Sequence, residues 1–148
     1  SGYTYSGHPV GAAAAVACLT ETFRLKVPEN AAARGTQLFE GLKKLKLKHG
    51  VVGDIRGGHG LMCALELVSD QASKKPVEKE TAAKIYEATY NSGTMIRISG
   101  PNIILSPPLV SQATDIDQVL LFLILFNVSH RRTAYSLKLR IKTHLNIS

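Results

Sequence analysis

Apolar side chains recur at helical spacing in two long segments near the start of the chain. The segment Gly11–Arg24 is rich in alanine and follows Pro9, which suits a first helical turn because its missing N–H needs no partner there. Ser6 is a candidate for the helix N-cap. In residues 28–48, leucines fall at i, i+4 and i+7, on one helical face. The pattern predicts two consecutive helices.

The second half of the chain has shorter apolar runs, which favour strands. A glycine-rich stretch at 56–60 predicts a tight turn between the first two runs. Further helices are predicted over Glu80–Asn91 and from about Asp115. The predicted strands are Val51–Ile55, Leu61–Val68, Met95–Ile98 and Ile103–Leu105. This element order predicts an α/β protein in the broad sense, and more narrowly a small α+β domain in which helices pack on a small sheet.

One apolar run breaks the amphipathic pattern. Val119–Phe126 holds eight apolar residues without a charge, so a helix there has no solvated face. Its composition favours β structure and aggregation, and a membrane span needs about 20 residues. A basic stretch follows the run. We expect 119–148 to be an atypical tail, and favour an artefact of gene prediction over an anchor.

Composition and charge limit the classes of function. With 148 residues the chain has room for about one domain. The net charge is +7, but five basic residues after Val128, with no acid among them, supply most of it. The remainder has no basic stripe interleaved with aromatics, so we expect no nucleic-acid partner. Two cysteines and five scattered histidines give no metal-ligand spacing, so no metal site is expected.

Two places carry candidate chemistry. Thr4 and Ser6 bring hydroxyl groups to a loop just before a helix, where a phosphate can bind free N–H groups. The alternative is an ordinary capped helix start. Arg97 ends a short predicted strand, and an arginine can bind a carboxylate through two parallel hydrogen bonds. The alternative is a surface or ion-paired arginine. The residues alone leave both questions open.

A set of short motifs resembles the C-terminal part of class III pyridoxal-phosphate-dependent aminotransferases. Each motif is weak alone, but together they follow the family's order over residues 1 to about 118. The motifs are Thr4-Tyr5-Ser6-Gly7-His8-Pro9-Val10, Ala32-Ala33-Arg34-Gly35, Val52-Gly53-Asp54-Ile55-Arg56-Gly57, Gly60-Leu61-Met62, Glu66-Leu67-Val68, Arg97 with Gly100, Leu105-Ser106-Pro107-Pro108-Leu109 and Asp115-Ile116-Asp117.

The resemblance implies fold type I of the pyridoxal-phosphate enzymes and a homodimer whose active sites are built from both subunits. Residues 1–26 would lead out of the large domain, and 27–118 would form the small C-terminal domain. The position of Thr4 implies contact with the cofactor phosphate of the neighbouring subunit. The position of Arg97 implies binding of the substrate carboxylate. The substrates would be an amino acid or amine and a keto acid, with no membrane partner.

The resemblance also implies what this stretch does not contain. The family's Schiff-base lysine and the other residues that hold the cofactor ring lie upstream of the Thr4 motif. We therefore expect a fragment without a catalytic residue of its own, inactive in isolation, from a cytoplasmic or mitochondrial enzyme. The 56–60 turn is one residue longer than the commonest family form. Alternatives are a decarboxylase or aminomutase of the same class, or a non-enzymatic α/β interaction domain derived from the fold.

Overall fold

The structure, a computed structural model, describes residues 2–129. This part of the chain contains four helices and five strands. In chain order they are α1 (Pro9–Arg24), α2 (Val27–Lys48), β1 (Val52–Arg56), β2 (Cys63–Asp70), β3 (Lys75–Pro76), α3 (Lys79–Asn91), β4 (Arg97–Ser99), β5 (Asn102–Leu105) and α4 (Ala113–Ser129). The predicted α+β class is confirmed. The two-residue β3 lies between the predicted strand Leu61–Val68 and the predicted helix Glu80–Asn91, where the sequence predicted no element.

The sheet is antiparallel throughout, with strand order β1-β2-β5-β4, and β3 extends the end of β2. Strands β4 and β5 form a tight hairpin whose turn contains Gly100 at a φ of +57°. Because side chains alternate across a strand, every second residue of β2 is buried against the helices. Within residues 2–129 the helices cover one face of the sheet.

The core lies between that covered face and the helices α2, α3 and α4. The leucines that fall at i, i+4 and i+7 in α2 are all buried, which confirms the helical reading of their spacing. Full burial of such a side chain contributes about 1.5–3 kcal/mol. The fully buried side chains of the core include Leu38, Leu42, Val52, Cys63, Ile85 and Ile116.

The β1–β2 connection packs closely against α2. Gly57, Gly58 and Gly60 all have positive φ, which favours glycine and explains the glycine-rich turn that the sequence predicted. A methyl group on Gly35 of α2 would overlap the carbonyl group of Gly60. The absence of a side chain at 35 therefore lets the helix and the loop touch through their backbones.

The apolar run 119–126 forms a helix, in contrast to the β character of its composition. It belongs to α4, where Leu123 is buried in the core and Leu120 packs against Gly41. Tertiary packing overrides local propensity here because α4 faces α2 and α3. The predicted boundary at 118 falls inside this helix. The basic stretch 130–148 lies outside the described residues.

No helix within residues 2–129 combines the length and the apolar character that crossing a membrane requires.

Two local predictions near the functional candidates are wrong. Ser6 is not the helix cap: the cap of α1 is His8, whose Nδ1 accepts from the N–H of Gly11 at 3.5 Å. The Ser6 hydroxyl instead accepts from the N–H of Tyr3 at 3.0 Å, because a turn brings the two residues together. Arg97 begins its strand rather than ending it, since the observed strand starts two residues later than the predicted Met95–Ile98 and ends one residue further on.

Candidate functional site

The sheet face that the helices leave uncovered carries two cross-strand rows of residues, and we call it the open face. The strand register places them. The first row is Arg56, Ala64, Ile104 and Arg97, on β1, β2, β5 and β4 respectively; the second is Asp54, Glu66, Asn102 and Ser99, in the same strand order. Both rows are exposed or half-buried. The open face therefore has an arginine at each end of its first row.

Arg97 lies on the edge strand of this face and is exposed. Its guanidinium forms no hydrogen bond or ion pair with any residue in 2–129. Arg97 also lines a groove of about 1290 Å³ between α3, α4 and the edge strand, together with residues of the loop 106–108. An exposed guanidinium without a protein partner, beside a groove, is available to bind an anionic ligand.

Two amide side chains of α2 fix the loop that follows the groove. Asn30 donates to the carbonyl groups of Leu109 at 2.8 Å and Ser111 at 3.0 Å. Gln37 donates to the carbonyl of Ala113 at 3.1 Å and to Oδ1 of Asp117 at 2.7 Å. The loop and the start of α4 are thereby tied to the helix. Sequence reasoning missed both residues, although their spacing of seven places them on one face of α2.

Arg56 reaches across the sheet. Its guanidinium donates to Oδ1 of Asn102 at 2.5 Å and lies 3.7 Å from a carboxylate oxygen of Glu66. To do so its side chain passes over β2, where its cross-strand neighbour is the small Ala64. No sequence pattern indicates this network, because it depends on which strands are adjacent.

A second charge pair lies at the β1 end of the open face. Nζ of Lys46 donates to Oδ1 of Asp54 at 3.1 Å. This hydrogen bond, and to a lesser extent the N–H of Ile55 and the charges of Lys46 and Arg56, lower the pKa of Asp54, and they outweigh the opposing effect of its partial burial. Asp54 is therefore held ionised.

Thr4 lies at the tip of a turn closed by the N–H of Ser6, which donates to the carbonyl of Tyr3 at 2.9 Å. It is exposed, and its hydroxyl has no partner within residues 2–129. Helix α1 begins nearby and carries no acidic residue in its first turn. Thr4 and Arg97 share no hydrogen bond or ion pair. The Thr4 hydroxyl and the start of α1, which has no acidic residue in its first turn, suit contact with a phosphate group.

The titratable side chains of residues 2–129 form no cluster that could hold a metal ion.

The family assignment comes from comparison with known proteins. A family model described as aminotransferase class-III matches residues 1–125. The chain belongs to this family. The match covers every element of the fold up to most of α4.

Individual relatives agree with the assignment. The taurine–pyruvate aminotransferase of Bilophila wadsworthia is 34% identical over 123 residues, which cover 78% of this chain and 27% of that protein. A mitochondrial alanine–glyoxylate aminotransferase 2 homolog of Arabidopsis thaliana is 38% identical over 117 residues, with 77% and 24% covered. The chain thus spans about a quarter of the length of these relatives.

Solved structures show the same architecture. An amine transaminase from an uncultivated Pseudomonas species, in its pyridoxal-phosphate-bound form, matches with a TM-score of 0.78 and 38% identity over 86% of this chain and 29% of that one. Class III aminotransferases depend on pyridoxal phosphate. The exposed Thr4 hydroxyl, which has no partner within residues 2–129, has the donor chemistry that a cofactor phosphate requires.

Proposed function

We propose that this chain is the C-terminal part of a pyridoxal-phosphate-dependent transaminase that moves an amino group from an amino acid or amine to a keto acid. The observation that carries the proposal is the Arg97 guanidinium, exposed and unpaired within the described residues, beside a groove. Membership of the class III family supports the reaction. When bound, the cofactor supplies the carbonyl group that carries the amino group between the two substrates.

In this proposal Arg97 binds and orients the substrate carboxylate. Its planar guanidinium forms two parallel N–H···O bonds with a carboxylate, which fix the direction of the substrate as well as its distance. The loop held by Asn30 and the start of α4 held by Gln37 form the adjacent groove wall. Their attachment to α2 limits the movement of this wall. A substrate that lacks a carboxylate gains nothing from Arg97.

We further propose that Thr4 serves the active site of a second subunit. Its hydroxyl would donate to a phosphate oxygen of the partner's cofactor, so the homodimer would be the active form. The exposed turn on which Thr4 lies, and the helix start beside it without an acidic residue, support this role. A cytosolic or mitochondrial compartment, and the absence of nucleic-acid and membrane partners, stay predictions.

The two half-reactions of the whole enzyme test the role of Arg97. A hydrogen bond to a charged group contributes about 1.5–3 kcal/mol, and each ~1.4 kcal/mol is tenfold in an equilibrium constant. Arg97→Ala should therefore lower kcat/KM for a keto acid such as pyruvate by about one to two orders of magnitude. The half-reaction with an amine that has no carboxylate should change much less. Stopped-flow absorbance of the cofactor measures each half-reaction separately.

Lys79→Ala is the matched control, because Lys79 also lines the groove and removing it lowers the local positive charge by the same amount. It should leave both half-reactions close to wild type, and Arg97→Lys should restore only part of the lost rate. Equal losses in both half-reactions of Arg97→Ala would show that Arg97 supports the fold or the cofactor, and would refute the carboxylate role.

The isolated chain is expected to be inactive, because the resemblance places the family's Schiff-base lysine upstream of the Thr4 motif. Purified chain mixed with pyridoxal phosphate, an ω-amino acid and pyruvate should form no more alanine than a protein-free control. Amino transfer clearly above that control would show that a lysine of this chain serves the cofactor.

A further inference from the structure

The open face offers Arg97 a protein partner as well as a ligand. Glu66 lies in the neighbouring row, two strands away on β2. Adjacent strands are about 4.8 Å apart, so two strand spacings separate the two backbones. A carboxylate at that distance competes for the guanidinium if an arginine side chain can span the gap.

The structure shows that an arginine side chain does span this gap. Arg56 on β1 hydrogen-bonds Asn102 on β5, which is also two strands away and in the neighbouring row. Arg97 stands in the same relation to Glu66, approached from the opposite edge of the sheet. Arg97 therefore has the reach to pair with Glu66.

In the structure Arg56 is the cation that lies beside both acceptors. Its guanidinium binds the Asn102 amide oxygen and lies 3.7 Å from Glu66. If Arg56 were removed, the Glu66 carboxylate would lose its cation, and the free cation in the adjacent row is Arg97. Capture by Glu66 would neutralise Arg97 and turn it away from the groove.

We infer that Arg56 is a positioning residue: by occupying Glu66 and Asn102, it keeps the Arg97 guanidinium available for a substrate carboxylate. The inference rests on the proposed function only in naming a carboxylate substrate as the ligand of Arg97. The transfer of Glu66 from Arg56 to Arg97 is a property of this chain alone. When Arg56 is missing, Glu66 is therefore the group that lowers the affinity of Arg97 for the substrate carboxylate.

The first test observes Arg97 directly in the chain. In Arg56→Gln, solvent exchange of the Arg97 Nε–H, measured by NMR, should slow by about two- to fivefold, the range of an exposed ion pair. In Arg56→Gln/Glu66→Gln it should return to the wild-type rate. Lys46→Gln is the control, because it breaks the ion pair between α2 and Asp54 of the same sheet and leaves Arg56 beside Glu66. An unchanged exchange rate in Arg56→Gln refutes the inference.

The second test uses the whole enzyme. Arg56→Gln should raise KM for a keto acid by about two- to fivefold and leave the carboxylate-free amine half-reaction unchanged. Glu66→Gln in the same chain should restore KM, which a general loss of stability would not allow. A raised KM without this rescue overturns the inference. If Arg97→Ala itself fails to distinguish the two half-reactions, the carboxylate role of Arg97 fails instead, and the exchange measurement still decides the partner of Arg97.

Discussion

At the scale of single residues, Gly35 shows how a missing side chain determines packing. Its backbone touches the glycine-rich loop at Gly60, so an added methyl group must push the loop and α2 apart. Forced packing of this kind costs about 1–3 kcal/mol. We expect Gly35→Ala to lower the free energy of unfolding by that amount, as measured by urea denaturation.

Gly11→Ala is the matched control for this substitution. Gly11 is also helical, but an added methyl group there would meet only the Cβ of His8 at 3.9 Å. Alanine is the better helix former, so stability should stay constant or rise by less than about 1 kcal/mol. If both variants lose the same stability, the contact between Gly35 and Gly60 is not the cause.

The ion pair of Lys46 and Asp54 gives a dependence of stability on pH. The pKa of Asp54 is lowered in the folded state, so its contribution is present above its unfolded pKa and is lost as the pH falls below about 4. Both side chains are 38% exposed, so the contribution is at most about 1 kcal/mol.

Lys46→Gln should therefore destabilise the chain slightly at pH 7 and less at pH 2. The difference in unfolding free energy between the wild-type chain and Lys46→Gln isolates this ion pair. Other carboxyl groups with a lowered pKa, such as Asp70, contribute equally to both proteins. A difference in unfolding free energy that stays constant between pH 7 and pH 2 would mean that Lys46 stabilises by packing.

At the scale of elements, α4 is a helix although the composition of its residues 119–126 favours a strand. Its first turns carry Ile116, which is fully buried, and Leu123 lies further along the same side. Removal of residues 119–148 would expose the surfaces of α2 and α3 that this helix covers. Such a truncation should therefore reduce solubility and cooperativity, measured by light scattering and thermal unfolding. A truncated chain that unfolds at the same temperature would show that the second half of α4 adds no stability.

Elements whose apolar residues repeat at a regular spacing could be predicted from the sequence. Features that depend on which elements pack side by side could not. The leucines of α2 repeat with the period of a helix, and their burial follows directly. Residues 119–126 carry no polar residue, so no period distinguishes a helix from a strand. Arg97 was found through its motif, whereas Arg56 acquires its partner only because β5 lies beside β2. That adjacency depends on the whole topology.

At the scale of the whole molecule, the two cysteines report on global unfolding. Cys18 is exposed on α1, while Cys63 is 1% exposed on β2. Burial raises the pKa of the Cys63 thiol, which further limits its reactive thiolate, although a backbone hydrogen bond from Gly58 opposes this. We expect a thiol reagent to modify Cys18 at once and Cys63 about 10³-fold or more slowly. Mass spectrometry of timed samples would locate each modification, and comparable rates would show that β2 opens without global unfolding.

The contacts of α2 limit how this chain can change length during evolution. Asn30 and Gln37 lie two turns apart and hold the loop before α4 and the start of α4 respectively, while the leucines of the same helix face the core. One inserted residue between them would rotate everything beyond it by about 100°, so the loop and the core could not both keep their partners. Insertions and deletions should therefore be absent between residues 30 and 45 in natural variants. They should accumulate instead in the exposed connection at 71–74.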